Sequence, residues 1–544
     1  GCLHVRPVLD MRTASGAQKM RAIAEEACQM VREYKGSYSG EHGDGLVRSE
    51  WIERMYGPRL AGAFAEIKRA FDPVGLMNPG KIVDPVRMDD RALFRFKPGY
   101  RTFPIRTGLD WSQHEIGEKN RGRGFAAAVE MCNNNGHCRK FDAGTMCPSY
   151  RATRNERDLT RGRANSLRLA LSGQLGPDAL TSRDMYETMA LCVSCKGCKR
   201  ECPTGVDMAA MKIEFLHQYH RKHRRPLKDQ LIAKLPRYAP VLAKFPGVLN
   251  LRNEHVALAW LGEKLFGLSA RRRLPDWRRD PFLGQTEVPG SASGPEVVLL
   301  ADTFNTWFEP ENLRAAVRVL TAANYRVVCA APAGGGRPLC CGRTFLASGM
   351  LDEARTEAKR LLQALGPYLD RGIPIVGLEP SCILGLRDEL PLLVPGPGSK
   401  DLGELAMTFE EFLVRERSEG RLQLALGKVH NRRAMLHGHC HQKAFGVMPA
   451  VVEALQMVPQ LEVETVTSSC CGMAGSFGYD ADYVDVSLQM AEASLLPTVR
   501  DTDEDTVIVA DGTSCRHQIN ELTDKTSRHA ACVLADSLAN GRAS

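Results

Sequence analysis

The 544 residues contain no uninterrupted apolar run of about 18, so no segment is expected to span a membrane. The first residues, Gly1-Cys2-Leu3-His4-Val5-Arg6, show neither an initiator Met nor the basic-then-apolar pattern of a secretory signal. They read as the middle of a strand, and the chain is expected to be a piece of something longer. Aromatics are few, at 6%, and the rest of the composition, 43% hydrophobic and 25% charged, is that of an ordinary globular protein. The net charge of +8 gathers in His220–Arg225 and in Arg271–Arg273 with Arg278 and Arg279, outside any nucleic-acid motif. These runs are expected to form a solvated helical surface; contact with anionic lipid is the alternative. At roughly 150 residues per domain the length implies three or four domains.

Cysteine is abundant, with 18 residues, and it is grouped: Cys132, Cys138, Cys147, Cys192, Cys195, Cys198, Cys202, and the adjacent pairs Cys340-Cys341 and Cys470-Cys471. Secreted disulfide scaffolds are short and spread their cysteines through loops. Grouped thiols in a long chain with no export pattern point to metal and a reducing compartment. The expected location is the cytoplasm, with peripheral contact at the inner membrane as a variant.

The chain after about residue 290 is an imperfect repeat. Each copy opens on a buried-strand run, Val297–Leu300 or Ala434–Leu436, followed by an amphipathic helix, Glu311–Ala323 or Pro449–Met457. Each then reaches Cys-Cys-Gly, at Cys340–Gly342 or Cys470–Gly472, then a helix and an apolar strand leading into Pro380-Ser381-Cys382 or Thr513-Ser514-Cys515. Strand–helix alternation of this kind predicts α/β modules with cysteines at strand ends. Upstream, residues 1–85 read as a strand, a helix over Ser15–Tyr34, a glycine-rich loop and a helix over Glu53–Phe71.

The segment from Cys192 to Pro203 is C-x2-C-x2-C-x3-C-P. Three thiolates on one tight loop reach three corners of a [4Fe–4S] cubane, and the Cys-Pro bend sends the fourth, Cys202, to a second cluster. Cys192, Cys195 and Cys198 therefore need a thiolate from another Cys-Pro, and Cys147-Pro148 supplies it. The partner motif lacks its middle cysteine, so Cys132, Cys138 and Cys202 are left for the second cluster. Three thiolates hold a three-iron cluster, or a cubane completed by His137 or Asp142, or no cluster. A zinc ribbon is the competing reading of the whole segment.

Adjacent cysteines seldom bridge each other, because that ring is strained, but they ligate one metal together. The second copy offers Cys440, Cys470, Cys471 and Cys515, with His437, His439 and His441 beside them. The first offers Cys340, Cys341 and Cys382, with Asp302 or Thr303 near the place of its leading cysteine. Zinc suits such a set as well as iron does, and cysteines simply buried at strand ends are the structural alternative.

Near the N-terminus, Ser39-Gly40-Glu41-His42-Gly43-Asp44-Gly45 sets a carboxylate and an imidazole among glycines that allow close backbone approach to a planar ligand. Glu41 is suited to a divalent ion and His42 to proton removal. Phe71-Asp72-Pro73 through Asn78-Pro79-Gly80-Lys81 closes the segment.

Together these N-terminal motifs resemble the C-terminal part of the FAD-linked oxidases, a family that includes D-lactate, glycolate and D-2-hydroxyglutarate dehydrogenases. Residues 126–535 resemble the cysteine-rich domain shared by heterodisulfide reductase and the iron–sulfur subunits of glycolate oxidase, lactate-utilisation and anaerobic glycerol-3-phosphate dehydrogenases. The order, together with Gly144-Thr145-Met146-Cys147-Pro148-Ser149-Tyr150, is similar to the fused FAD-binding/4Fe–4S members. The resemblance implies a multidomain α+β and α/β chain: a flavin-oxidase C-terminal lobe (1–85), a linker (86–125), a helical ferredoxin-type domain (126–215) and a helical connector (216–290). Cys-Cys-Gly module 1 (291–400), a linker helix (401–430) and module 2 (431–544) follow. His4 and Glu41 are similar to the family's metal ligands, the ion being zinc. His42 matches the residue beside the substrate hydroxyl and Arg6 a substrate contact, while Asn78, Gly43 and Gly45 fall at the flavin side. FAD itself is expected to be cradled mainly by a domain this chain lacks.

The implied function is oxidation of a small D-2-hydroxy acid, D-2-hydroxyglutarate ahead of D-lactate or glycolate. Electrons would pass through 4Fe–4S to an external acceptor, a quinone or an electron-transfer protein, and a homo-oligomer is compatible with this reading. A non-catalytic electron-transfer subunit and a disulfide reductase are the competing functions.

Overall fold

The structure, a computed structural model, describes residues 5, 7–115, 122–142, 144–283, 294–332 and 335–538. It divides into two compact units, Gly1–Thr102 and Phe103–Ser544.

The first unit is helical among its described residues. Helix Ala14–Glu33 starts where the Thr13 hydroxyl accepts the Gly16 N–H at 3.0 Å, a cap that satisfies an otherwise orphaned donor. A small core of Ala24, Cys28, Trp51 and Met88 lies beside it. Arg21 forks onto Glu50 at 2.6 and 3.1 Å and onto Asp89 at 2.9 Å. The helix expected over Glu53–Phe71 is two helices, Ile52–Tyr56 and Pro58–Phe71. The break falls at Gly57, whose φ of +82° is left-handed, followed by a proline suited only to a helix's first turn. The strand expected at the N-terminus falls mostly on residues 1–4 and 6, outside the described set.

The second unit begins earlier than the linker expected to 125 would allow. Gly108 and Leu109 donate backbone N–H groups to Glu214 at 3.0 and 2.9 Å, and Leu109 and Trp111 are buried. Short helices follow, among them Gly124–Glu130, Pro148–Thr153, Thr160–Leu171, Arg183–Ala190, Gly197–Glu201 and Met208–His220. The basic runs are not wholly a solvated surface. Arg272 is buried, with Nη2 2.8 Å from both Glu521 and Gln518, because a desolvated guanidinium needs paired acceptors.

Two four-stranded parallel sheets complete the unit. The first comprises β1 (Glu296–Leu300), β2 (Arg326–Cys329), β3 (Ile375–Gly377) and β4 (Ala406–Thr408), in the order β2-β1-β3-β4. The second comprises β5 (Arg433–Leu436), β6 (Glu462–Thr465), β7 (Thr506–Val509) and β8 (Ser527–Arg528), in the order β6-β5-β7-β8. Val298 pairs with Val328 and Ile375, and Ala434 with Val463 and Val507. Strands such as β1, Glu-Val-Val-Leu-Leu, are apolar on both faces because helices cover both sides. The segment expected as a linker helix over 401–430 contains β4, so it closes the first sheet. One continuous core runs from Leu109 through both sheets to Ala535. Among the described residues no helix is long and apolar enough to cross a membrane.

Candidate functional site

The identical strand orders put a topological switch point between β1 and β3, and another between β5 and β7. In open parallel sheets, ligands sit outside the carboxyl ends of the strands at that crevice. Asp302 and Cys382 follow β1 and β3; Cys440 and Cys515 follow β5 and β7. The cysteines predicted at strand ends are therefore where the topology leaves room for a ligand. The Cys-Cys-Gly pairs lie on the loops after β2 and β6, well past the strand ends. Gly472 has φ +83°, and a Cβ there would lie 2.3 Å from the Ser487 carbonyl oxygen, so only glycine fits.

Cys147, Cys192, Cys195 and Cys198 line one cavity with Met146, Thr160 and Arg163. The loop carrying the last three is wound tightly, with Ser194 and Lys196 both left-handed at φ +51° and +61°, each costing about 1–2 kcal/mol. Gly197 lets this loop lie against the Cys147 loop: a Cβ there would meet Thr145 Cβ at 3.0 Å. Glu201 clamps the two together, accepting the Thr145 and Met146 N–H groups at 2.6 and 3.2 Å. Buried Lys196 sits 3.0 Å from Asp207, 2.8 Å from Asp388 and 3.3 Å from Glu389. The approach to Asp388 Oδ2 is an ion-pair contact off the hydrogen-bond axis, since that oxygen has no aligned donor.

Burial pushes the Cys147 thiol up to about 11, and Arg163 and Thr160 pull against it. Burial, with neighbouring thiol charge, also raises Cys195 and Cys198 well above the ordinary range. Four thiolates in this cavity need positive charge that the surrounding side chains do not fully supply, which suits a metal cluster. A single tetrahedral zinc would hold its sulfurs about 3.8 Å apart. Among the described residues, no three of these four sulfurs all lie within 4.8 Å of one another.

Cys132 and Cys138 are both buried, and the Cys138 thiol is raised first by burial and further by Cys132. Cys202 is half-buried, 3.3 Å from the Thr204 hydroxyl. His137 and Asp142 are exposed.

In the second sheet's module the thiols form a chain. Cys470 hydrogen-bonds Cys440, which with burial pushes it up to about 12, and also Cys471. Cys515 hydrogen-bonds Cys471 in turn. A ring nitrogen of His437 and the sulfurs of Cys471 and Cys515 all lie within 4.8 Å of one another. Burial lowers His437 to about 4, leaving a neutral imidazole. In the first module Cys341 hydrogen-bonds both Cys340 and Cys382. All three line a cavity with Asp302 and Thr303. Asp302 caps a helix, accepting from Phe304 N, Asn305 N and Asn305 Nδ2 at 3.0, 3.1 and 2.7 Å. His439 caps the matching helix of the second module, which opens on Cys440. Aligning the caps puts Thr303 in the place of Cys440.

The second module touches the cluster loop. His441 Nε2 is 3.2 Å from the Ser194 carbonyl, and Ser469 Oγ donates to the Thr145 carbonyl at 2.6 Å. Cys440 and Cys470 are among the groups that raise Cys195. Lys212, Lys443 and Arg343 are cations beside the thiols that sequence reasoning missed. Lys212 donates to the Ala190 and Cys192 carbonyls at 2.9 and 2.5 Å, and burial lowers it to about 8. A cysteine motif carries no signal for such distant cations.

In the first unit, Glu41 and His42 are exposed at 61% and 54%, 3.6 Å apart. Gly43 and Gly45 are left-handed at +71° and +53°. Asn78, also left-handed at +45°, accepts from Lys81 Nζ at 3.3 Å. His4 and Arg6 lie outside the described residues.

Three families match, in chain order: FAD linked oxidases, C-terminal domain, over residues 1–82; the 4Fe-4S dicluster domain over 128–206; and the cysteine-rich domain over 434–520. The chain thus carries, in one order, segments that match a flavin-oxidase C-terminal domain, an iron–sulfur dicluster domain and a cysteine-rich domain. Over nearly its whole length it is similar to D-2-hydroxyglutarate dehydrogenases. That of Pseudomonas putida is 29% identical over 97% of this chain and 54% of that protein, and that of Escherichia coli K12 is 28% identical over 98% and 55%. One of the subunits of the anaerobic glycerol-3-phosphate dehydrogenase of Escherichia coli K12 is 26% identical over 58% of this chain and 78% of that protein. The chain spans about half the length of the D-2-hydroxyglutarate dehydrogenases it matches. No solved structure matches it.

Proposed function

We propose that this chain is the iron–sulfur portion of an FAD-linked dehydrogenase that oxidises D-2-hydroxyglutarate to 2-oxoglutarate and passes the electrons to an external acceptor. The observation that carries the reading is similarity to such dehydrogenases along 97% of the chain, through all three domains in one order.

In this reading Cys147, Cys192, Cys195 and Cys198 hold a [4Fe–4S] cluster, which supplies one-electron steps to drain a two-electron donor. Lys196 and Glu201 fix the two cysteine loops, and Thr160 donates to the Cys147 sulfur at 3.2 Å. Cys132, Cys138 and Cys202 are assigned a second cluster. The two sheets are copies of one Cys-Cys-Gly module, and the second copy, against the Ser194 carbonyl, is the next electron site. FAD, when bound, would supply the two-electron acceptor for the substrate; within this chain only the loop around Glu41 and Asn78 is assigned to hold it. Glu41 and His4 are assigned a divalent ion, since a carboxylate and an imidazole together suit zinc. His42 removes the hydroxyl proton and Arg6 binds a substrate carboxylate.

A second reading is a separate electron-transfer subunit, favoured by the match to 78% of the glycerol-3-phosphate dehydrogenase subunit. It leaves residues 1–82 unexplained. To decide, the full-length protein is purified without oxygen, assayed for iron and flavin, and mixed with D-2-hydroxyglutarate, D-lactate or glycerol 3-phosphate. Bleaching of the cluster absorbance by D-2-hydroxyglutarate, with 2-oxoglutarate formed, is expected. Intact clusters and flavin that no hydroxy acid reduces would refute the dehydrogenase.

A further inference from the structure

One buried ring nitrogen in the second module, Nε2 of His437, has no aligned hydrogen-bond partner, and the side chain interacts with the Cys471 thiol. The residue is 1% exposed and directly follows β5, at the switch point. Its Nδ1 is 3.0 Å from Ser468 Oγ, and that hydroxyl also accepts from Lys443 Nζ at 3.1 Å. In the tautomer whose Nδ1–H donates to Ser468 Oγ, Nε2 keeps its lone pair. An unmet polar atom in a dry interior is destabilising unless something is bound there to meet it. Anchoring one ring nitrogen to orient the other is how metal-ligating imidazoles are held.

The nearby histidines differ. His439 Nδ1 accepts the His441 N–H at 3.2 Å, and His441 Nε2 lies 3.2 Å from the Ser194 carbonyl and 3.4 Å from Arg343 Nη2. His439 Nε2 lies 4.0 Å from Cys440 Sγ, whereas a ring nitrogen of His437 shares a 4.8 Å group with the sulfurs of Cys471 and Cys515.

We propose that His437 Nε2 ligates a thiophilic metal centre together with Cys471 and Cys515. The proposal rests on the reading that the second module's thiols hold metal. Mixed sulfur and imidazole ligation suits zinc and also iron within a sulfide cluster. On iron, a neutral imidazole in place of a thiolate removes negative charge and raises the reduction potential.

The test uses the full-length protein purified without oxygen. X-ray absorption at the zinc edge, on protein also carrying Glu41→Ala so that the ion assigned to the first unit does not contribute, reads imidazole scattering if the centre is zinc; pulsed EPR reads imidazole nitrogen coupling if it is iron. Either signal is expected in the wild type and lost in His437→Ala, whose metal at this site should yield to a chelator while the Cys147 cluster keeps its iron. His437→Cys should retain the metal without the nitrogen signal, which separates ligation from misfolding. Metal that Cys471→Ser removes but that shows no nitrogen signal in the wild type would overturn the proposal and spare the reading beneath it. If Cys471→Ser and Cys515→Ser leave the metal content unchanged, both fall.

Discussion

Replacing Lys196 by Met removes the one cation shared by three carboxylates, leaving Asp207 and Asp388 to Lys199 and Glu389 to Arg343. The Lys196 side chain is 1% exposed, and Asp388 and Glu389 are 3% and 2% exposed. Burial alone would lower the ammonium's pKa, yet Asp207, Glu389 and Asp388 hold it well above the ordinary lysine value. Burial would likewise raise Asp388, but Lys196 and Lys199 outweigh it and bring it down to about 2. Removing one partner of a buried ion pair costs about 3–5 kcal/mol, a large part of a stability of about 5–15 kcal/mol. The left-handed backbone at 196 penalises Met and Lys alike, so it cancels. The control is Lys199→Met: that side chain is 44% exposed and shares Asp388, so its loss should cost about 1 kcal/mol or less. Anaerobic urea unfolding of the metal-loaded protein, followed by tryptophan fluorescence, should show the Lys196→Met midpoint far below that of Lys199→Met. Iron at the Cys147 site should fall with it. Asp388, lowered in the folded state, contributes stability that is present above its unfolded value near 3.9 and lost as pH falls through about 2. Lys196→Met should therefore flatten the acid limb between those values. Equal midpoints for the two variants would refute the argument.

Glu410, Asp511 and His529 are buried, one ligand atom of each within 4.8 Å of the others, and burial with Asp511 raises Glu410 well above the carboxylate range. A raised carboxyl stabilises the fold below its unfolded value, about 4.3, and loses that contribution as pH rises through the folded value; melts above pH 5 should show wild type losing up to about 1.4 kcal/mol per unit relative to Glu410→Gln. Gly472→Ala forces a side chain into left-handed backbone 2.3 Å from the Ser487 oxygen; metal analysis should find the second module depleted and the Cys147 site full. Cys192→Ser should remove about four irons per chain by elemental analysis.

The cysteines and strands were legible because each is written locally. A C-x2-C-x2-C-x3-C-P run and an all-apolar strand such as Val297–Leu300 need no distant partner to be recognised. What escaped depends on residues far apart in the chain. Lys196 reads as a solvated lysine inside a motif until Asp207, Asp388 and Glu389 fold around it. Arg272 reads as one member of a basic run until Glu521 meets it. β4 is only three residues long, Ala406–Thr408, too short to carry an alternating pattern, so the segment reads as helix. The choice between Asp302 and Thr303 could not be made without the cap geometry, because a one-residue shift in a helix start changes which side chain faces the cavity.

That cap also explains why the two modules are chemically unequal. In both, the helix after the first strand starts beside the Cys-Cys-Gly loop, and its first residue faces the thiols. The second module places Cys440 there and caps the helix with an imidazole. The first places Thr303 there, and its capping carboxylate, Asp302, is committed to three donors. Burial, with Glu379 nearby, pushes Asp302 up to about 6, and the oxygens already committed to the cap leave it little capacity to take the place of a thiolate. The carboxylates of the first module serve the seam instead: Glu379 accepts the Thr513 N–H at 2.9 Å, and Glu309 accepts from Arg516 Nε at 2.8 Å. Both contacts hold the start of the helix that carries Cys515. Glu379 and Glu309 of the first copy thus brace the start of the helix that carries Cys515, which is the arrangement the proposed function calls for if the second copy alone is the next electron site.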